Sequence, residues 1–464
     1  MLLLITFVNS TMHFQLYRLS RYFFQLALRF FFRRIEVKGL ERVPMEGPVI
    51  IVANHAASFL DPIVIAAKLK VPVYFIAKAR ALKRPVPTWF LKLFNVIPVY
   101  RSQDDPTLMD KNQTSFEACY KHLEMRGNIL IFPEGISHSI RHLLKIKTGA
   151  ARMALGAEAR NKFNLGLKII AFGMNYSNQE KFQSRLFVSV SEPINVIEFK
   201  DVYLQEEVEG VNRLTEKIEN SINQSIINAG DERIDTLINR IERLMKARIL
   251  KDWGVKKEIL EQDHNVTKRI MQAMDYFLER DQARFSKMEN EINQYFELLK
   301  DVDLPETIFK SKKLTPQAVL FYISYFIPGL LFFIPGLVGN FIPYKLSILS
   351  ARGWSRNKEY RGAAGFLAGI LIFIFFYCLE FMMLKDFTKS LWIPIVSIIA
   401  MPFLGIFTFY YWRKLSRFYC KIIFTFSKRQ IFIRRLLARR NSIIRELEFA
   451  RQEFLEAERN RLAL

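Results

Sequence analysis

Apolar positions along the 464-residue chain change rhythm twice, and the changes divide it into regions. In the first third they form short, β-branched runs at residues 48–53, 95–100, 128–131 and 171–176, each ended by polar or turn-forming residues. That pattern predicts buried strands of an α/β domain. Asp61-Pro62, a few residues after the first run, predicts a helix start with Asp61 as N-cap and Pro62 at the first helical position. From about 200 to 315 apolar residues recur at helical spacing among charged ones, as in 211–218 and 236–245. This region reads as a helical insert or bundle, broken near Asn228-Ala229-Gly230-Asp231 and Trp253-Gly254.

Beyond 317 the polar positions thin out. Residues 362–384 and 391–412 are apolar over lengths that cross about 30 Å of hydrocarbon. Residues 318–343 are equally apolar but carry Pro328-Gly329 and Pro335-Gly336, which predict a broken, re-entrant segment. The flanks at 345–361 and 413–440 are basic, so the two later spans are expected to form a hairpin with its basic ends, and the catalytic region, on the cytosolic face of the cytoplasmic membrane. Glu380 lies inside the second span and is a functional candidate by its position. Residues 13–32 are rich in Phe, Tyr and Leu but interrupted by Arg18, Arg21 and Arg29, a pattern of an interfacial helix lying along a bilayer. The first residues lack the charged opening and cleavage site of a secretory signal, and Met12 is a second candidate start. The tail from 413 reads as a basic amphipathic helix. The expected organisation is 1–34 interfacial helix, 35–200 catalytic domain, 201–316 charged helices, 317–412 membrane segments and 413–464 basic tail.

Composition narrows the partners. Half of the residues are hydrophobic, 42 are Phe, and the formal net charge is +23. Apolar bulk with excess cation points to an anionic phospholipid membrane, whereas nucleic acid is excluded because the basic runs border apolar spans and carry no nucleic-acid signature. Cys119, Cys378 and Cys420 are widely separated, which fits a reducing compartment rather than a disulfide framework. Nothing in the pattern selects an oligomeric state.

Candidate chemistry centres on Asn54-His55-Ala56-Ala57-Ser58-Phe59-Leu60-Asp61-Pro62. A strand delivers His55 and Asp61 onto one short loop. An imidazole oriented by a carboxylate can take a hydroxyl proton as that oxygen attacks a thioester. A helix cap beside a loop histidine is the plain alternative. Asn95-Val96-Ile97-Pro98-Val99-Tyr100-Arg101 ends on a guanidinium suited to phosphate. Phe132-Pro133-Glu134-Gly135 follows the third run and precedes Lys145 and Lys147, and Gly173-Met174-Asn175-Tyr176 closes the fourth.

In this order and spacing the four blocks resemble the glycerolipid acyltransferase family, the membrane enzymes that acylate glycerol 3-phosphate and lysophosphatidate, over roughly residues 35–195. The resemblance implies an α/β acyltransferase domain with a mixed central sheet, followed by the helical insert and an α-helical membrane region. It implies His55 as general base, Asp61 as its partner and Arg101 as phosphate ligand, with Glu134 and Gly135 in the substrate-binding block. Lys145 and Lys147 add charge there. No cofactor or metal is implied; acyl carrier protein or coenzyme A thioester is the co-substrate. The interval between His55 and Asp61 is one residue longer than in most members, which points to the glycerol-3-phosphate acyltransferase-like branch. Asn95 stands where glycine is usual, and the fourth block lacks its usual proline.

Other chemistry fits less well. Ser58 and Ser137 have no second histidine and carboxylate to activate them as nucleophiles. His122, His138 and His142 do not form a metal-binding pattern, since no Glu follows His138. Two further readings remain for the whole: an acyltransferase of another lipid pathway whose acceptor carries no phosphate, and a non-catalytic lipid-binding or scaffolding protein.

Overall fold

The computed structural model describes residues 2–78, 95–99, 110–302, 304–310, 314–354, 357–426 and 430–462. It divides into two compact units, one of residues 1–228 with 351–366, the other of 229–350 with 367–464.

The first unit is built on an eight-stranded mixed sheet. Its strands are β1 (Arg34–Lys38), β2 (Val49–Ala53), β3 (Tyr74–Lys78), β4 (Val96–Val99), β5 (Asn128–Ile131), β6 (Lys168–Tyr176), β7 (Arg185–Val190) and β8 (Ile194–Asn195). They lie in the order β1-β7-β6-β2-β5-β3-β4, with β8 paired to β6. β2 is central and runs parallel to β5 and β6, Ile50 facing Ile129 on one side and Ile169 on the other. Only the β6–β7 and β6–β8 pairs are antiparallel. Every residue of β2 and β5 is buried, which is why these strands read as continuous rather than alternating apolar runs. All four predicted runs are strands.

Helices α1 (Leu2–Phe31), α2 (Leu60–Lys68), α3 (Asp110–Glu124) and α4 (Gly149–Arg160) belong to this unit, and so do α5 (Lys200–Gln205) and α6 (Glu207–Ser225). The unit therefore extends past the expected boundary at 200. The reason is the stripe Val211, Leu214, Ile218 and Ile222 on α6, which buries itself in the same core as Ile50, Val52, Ile129 and Ala154. The first helix is also anchored on this unit: Gln25 donates to the Ala67 carbonyl and Arg21 to that of Leu69, at 2.6 and 3.0 Å, while Leu28 and Phe32 are buried. Its other face leaves Leu16, Leu19, Tyr22, Phe23 and Leu26 exposed.

In the second unit, helices α7 (Glu232–Asp252), α8 (Leu260–Arg280) and α9 (Gln282–Lys300) replace the predicted charged region, and the breaks fall where expected. Asp231 caps α7 by accepting from the Ile234 amide at 2.8 Å, and Gly230 and Gly254 hold the positive φ that the turns need. Three further helices are long and apolar enough to cross a membrane: α10 (Pro316–Trp354), α11 (Lys358–Thr388) and α12 (Trp392–Phe426).

Two sequence expectations fail here. α10 is continuous through Pro328, Pro335 and Pro343, so the turn needed for a re-entrant path is absent. Neighbouring hydroxyls from α12 bond its carbonyls: Tyr411 donates to Phe326 O at 2.9 Å and Thr408 to Phe333 O at 3.3 Å. The small residues at Gly329 and Gly336 admit those same side chains. The second failure is the tail. Residues 413–426 continue α12, so the separate tail helix begins later than 413, and α13 (Gln430–Leu462) buries Ile433, Leu436, Ile443 and Ile444 in the core of the bundle. Arg440 is buried as well, held by Glu306 at 2.8 Å. Glu380 accepts from Ser397 at 2.7 Å, and Tyr377 donates to Asn340 at 2.7 Å, so polar groups link all three apolar helices.

Candidate active site

The carboxyl ends of the parallel strands β2, β5 and β6 deliver three polar side chains to one edge of the sheet. His55 lies two residues beyond β2, Glu134 three beyond β5, and Tyr176 ends β6. Ligands of open α/β sheets bind at this edge because loops diverge there.

Beyond Ala53 the chain is pinned before it turns. Asn54 exchanges two hydrogen bonds with the Met174 backbone, at 2.7 and 3.2 Å, which extends the β2–β6 pairing by one residue. Ser58 adopts φ +50°, and the tight turn closes with the Leu60 and Asp61 amides donating to Ala57 and Ser58 carbonyls. Helix α2 consequently starts at Leu60 with Phe59 at the cap position, so Asp61 is not the N-cap expected from sequence. Its carboxylate sits in the first turn and points back into the loop. One oxygen accepts from the Ala57 amide at 2.8 Å and lies 2.9 Å from His55 Nδ1; the other accepts from Tyr176 Oη at 2.6 Å. Asp61 is wholly buried. Three donors thus replace the water that an ionised carboxylate loses on burial. Burial, and then the adjacent Asp61 charge, push the Tyr176 phenol well above its ordinary pKa, so it remains a donor.

Nδ1 of His55 is turned to Asp61, the side chain is 18% exposed, and its ring stacks on Phe132 at 4.1 Å between centroids. The pair predicted from one loop is assembled. Around it, Phe59, Ile136 and Ile140 are exposed apolar side chains on the loops that flank His55, a surface suited to a hydrocarbon chain.

Glu134 is placed differently from a residue that reaches out to substrate. Its side chain is fully buried. One oxygen accepts from the His55 amide at 2.8 Å, and the other from the Leu144 amide at 3.0 Å and from His138 Nε2 at 2.7 Å. It pins the His55 backbone and the loop from 135 to 144 together. Gly135 is buried at φ +74°, a conformation open to glycine, and turns the chain out of β5. Lys145 and Lys147 are exposed further along that loop. Arg101 lies outside the described residues. Asn95 sits in the turn just before β4, and its φ of +54° explains the substitution noted above: asparagine enters the left-handed region that glycine would otherwise take.

Sequence reasoning missed the roles of Tyr176, Asn54 and His138. Tyr176 stood in a recognised block without a partner, and its partner is 115 positions away. The described residues contain no cluster of three or more His, Cys, Asp or Glu fit for a metal.

Residues 34–174 match the family described as Acyltransferase. Glycerol-3-phosphate O-acyltransferase 1 of Saccharomyces cerevisiae is 23% identical over 385 residues, covering 64% of this chain and 50% of that protein. Glycerol-3-phosphate O-acyltransferase 2 of the same yeast is 38% identical over 128 residues, 27% of this chain and 17% of the relative. The chloroplastic 1-acyl-sn-glycerol-3-phosphate acyltransferase of Arabidopsis thaliana is 30% identical over 124 residues, 26% and 33% respectively. The chain thus spans half the length of the first relative and less of the others. The matched segment, under a third of the chain, holds His55, Asp61 and Glu134.

Proposed function

We propose that this protein is a membrane-bound acyltransferase that moves a fatty acyl group from a thioester to a hydroxyl of glycerol 3-phosphate or of 1-acylglycerol 3-phosphate. The observation that carries the reading is the His55–Asp61 pair at the carboxyl edge of the sheet, in which Nδ1 is held by Asp61 and the side chain stays 18% exposed, leaving Nε2 for the acceptor. The yeast relatives named for glycerol 3-phosphate support the first acceptor, and the Arabidopsis relative supports the second.

In the mechanism, His55 Nε2 takes the acceptor hydroxyl proton as the oxygen adds to the thioester carbonyl. Asp61 stabilises the imidazolium that results, and Tyr176 and the Ala57 amide keep that carboxylate in place. The tetrahedral intermediate collapses with cleavage of the carbon–sulfur bond, and the thiolate receives the proton from His55. Glu134 acts by holding the His55 backbone. Arg101 is proposed as a phosphate ligand, and Lys145 and Lys147 as supplementary charge. The donor is an acyl carrier protein or coenzyme A thioester, and the three apolar helices hold the enzyme in the cytoplasmic membrane with its catalytic unit on the cytosolic face.

Acyl transfer by the purified, detergent-solubilised protein tests this. Labelled acyl thioesters of both kinds are offered with glycerol 3-phosphate or lysophosphatidate, beside His55→Ala. Transfer to one acceptor that vanishes in the variant is expected. No transfer with either acceptor, from folded protein, would overturn the reading.

A further inference from the structure

We infer that the helical bundle of the second unit holds a binding site for a fatty acid, a hydrocarbon chain ending in a carboxylate, separate from the acyl-transfer chemistry proposed above. Helices α7, α8, α9 and α13 surround a cavity of about 300 Å³. Protein interiors are close-packed, and an apolar cavity of about 150 Å³ already takes up benzene, so this one has room for about twelve carbons.

The cavity is long enough for a chain. Its lining runs from Ile241 to Ile249 on α7, from Arg269 to Phe277 on α8 and from Leu447 to Leu455 on α13, in each case about 12 Å of helix. Ile249, Ile270 and Phe285 make apolar wall, and Met245, Met274 and Met288 supply flexible thioethers that repack around a guest.

Among the described residues, the charged side chains on that lining are three arginines and no carboxylate. Arg284 is fully engaged: Nε and Nη2 grip Glu446 and Nη1 grips Glu453, which ties α9 to α13. The other two are not. Arg269 binds Gln272 and Glu458 through Nη1 alone, and Arg451 binds Asp252 and Glu448 through Nη1 alone. Their Nε and Nη2 donors have no hydrogen-bond partner among the described residues. That edge of a guanidinium gives a carboxylate two parallel bonds. The surroundings also limit the head group. Asp252, Glu446, Glu448, Glu453 and Glu458 are bonded to these arginines, so a phosphate dianion or the phosphates of coenzyme A would meet stronger repulsion than a monoanion.

Photolabelling of the full-length protein in phosphatidylcholine nanodiscs tests the site. A diazirine-bearing dodecanoate is crosslinked and its adducts are mapped by mass spectrometry. Saturable labelling is expected on 241–253 and 447–455, with unlabelled dodecanoate competing and its methyl ester competing about tenfold less well, the scale of one charge-assisted hydrogen bond. Arg269→Gln should raise the concentration for half-maximal labelling about tenfold. Ala273→Trp, which places an indole in the cavity, should abolish labelling there at unchanged circular dichroism. Arg269 is 44% exposed, so its variant reads the site even if the filled cavity does not fold. Labelling confined to α10, α11 and α12, or equal competition by the methyl ester, would overturn the site. Stronger competition by lysophosphatidate or acyl coenzyme A would overturn the fatty acid as its occupant. Crosslinking reads binding alone, so none of these outcomes depends on acyl transfer by the first unit.

Discussion

Asp61 has more to do than its neighbour His55, because its buried carboxylate holds three donors at once. Asp61→Asn substitutes an amide that can no longer stabilise an imidazolium, and acyl transfer is expected to fall by about 10²–10⁴-fold, the range of a lost oriented acid–base partner. Tyr176→Phe leaves the carboxylate one donor short and should reduce the rate much less, since two donors remain. Equal losses in the two variants, at unchanged circular dichroism, would show that Tyr176 does more than hold Asp61. The pair itself was legible in the sequence, because both members sit on one short loop. Tyr176 and the inward aim of Glu134 were not: each depends on which strand lies beside β2, and that register is a tertiary property.

At the scale of elements, the approach of α6 to the sheet is a tight constraint. A Cβ built on Gly173 would lie 2.1 Å from the Ser225 carbonyl oxygen, and Asn175 stitches the same junction by donating to that oxygen and accepting from the Ile227 amide. Gly173→Ala must therefore displace the end of α6, with an expected loss of about 1–3 kcal/mol in a thermal or denaturant melt. A neutral result would mean that the helix end yields freely. Asn95 offers the opposite case: Asn95→Gly should be tolerated, whereas Asn95→Val forces a β-branched side chain to φ +54° and should cost about 1–2 kcal/mol in the same melt. Four of the eight strands were readable as apolar runs and the bundle from its helical spacing. The Pro-Gly pairs of α10 misled because breaker rules count the bonds that proline removes and not those that a neighbouring helix adds: Tyr411 and Thr408 of α12 bond the Phe326 and Phe333 carbonyls.

For the molecule as a whole, the amphipathic pattern of the tail showed that α13 has an apolar face and could not show what covers it. The answer is the bundle, and its polar anchor is Arg440 against Glu306, 10% and 2% exposed. Glu306→Ala should destabilise the second unit by about 3–5 kcal/mol, the penalty for leaving a buried guanidinium without its carboxylate. The double variant Glu306→Leu with Arg440→Met should recover most of it; equal melting of the single and double variants would show that the pair contributes nothing.

The placement of the site on β2, β5 and β6 has a consequence for how the protein fails. Loops that open independently of a core lose function before structure, but here His55, Glu134 and Tyr176 hang from the three strands at the heart of the sheet, and each is tied to its neighbour's backbone or side chain. Fraying at the edges of the first unit would leave them untouched. Heat inactivation should thus be as cooperative as melting of the sheet, sharing its midpoint, and amide hydrogens around His55 should exchange only when the whole unit opens.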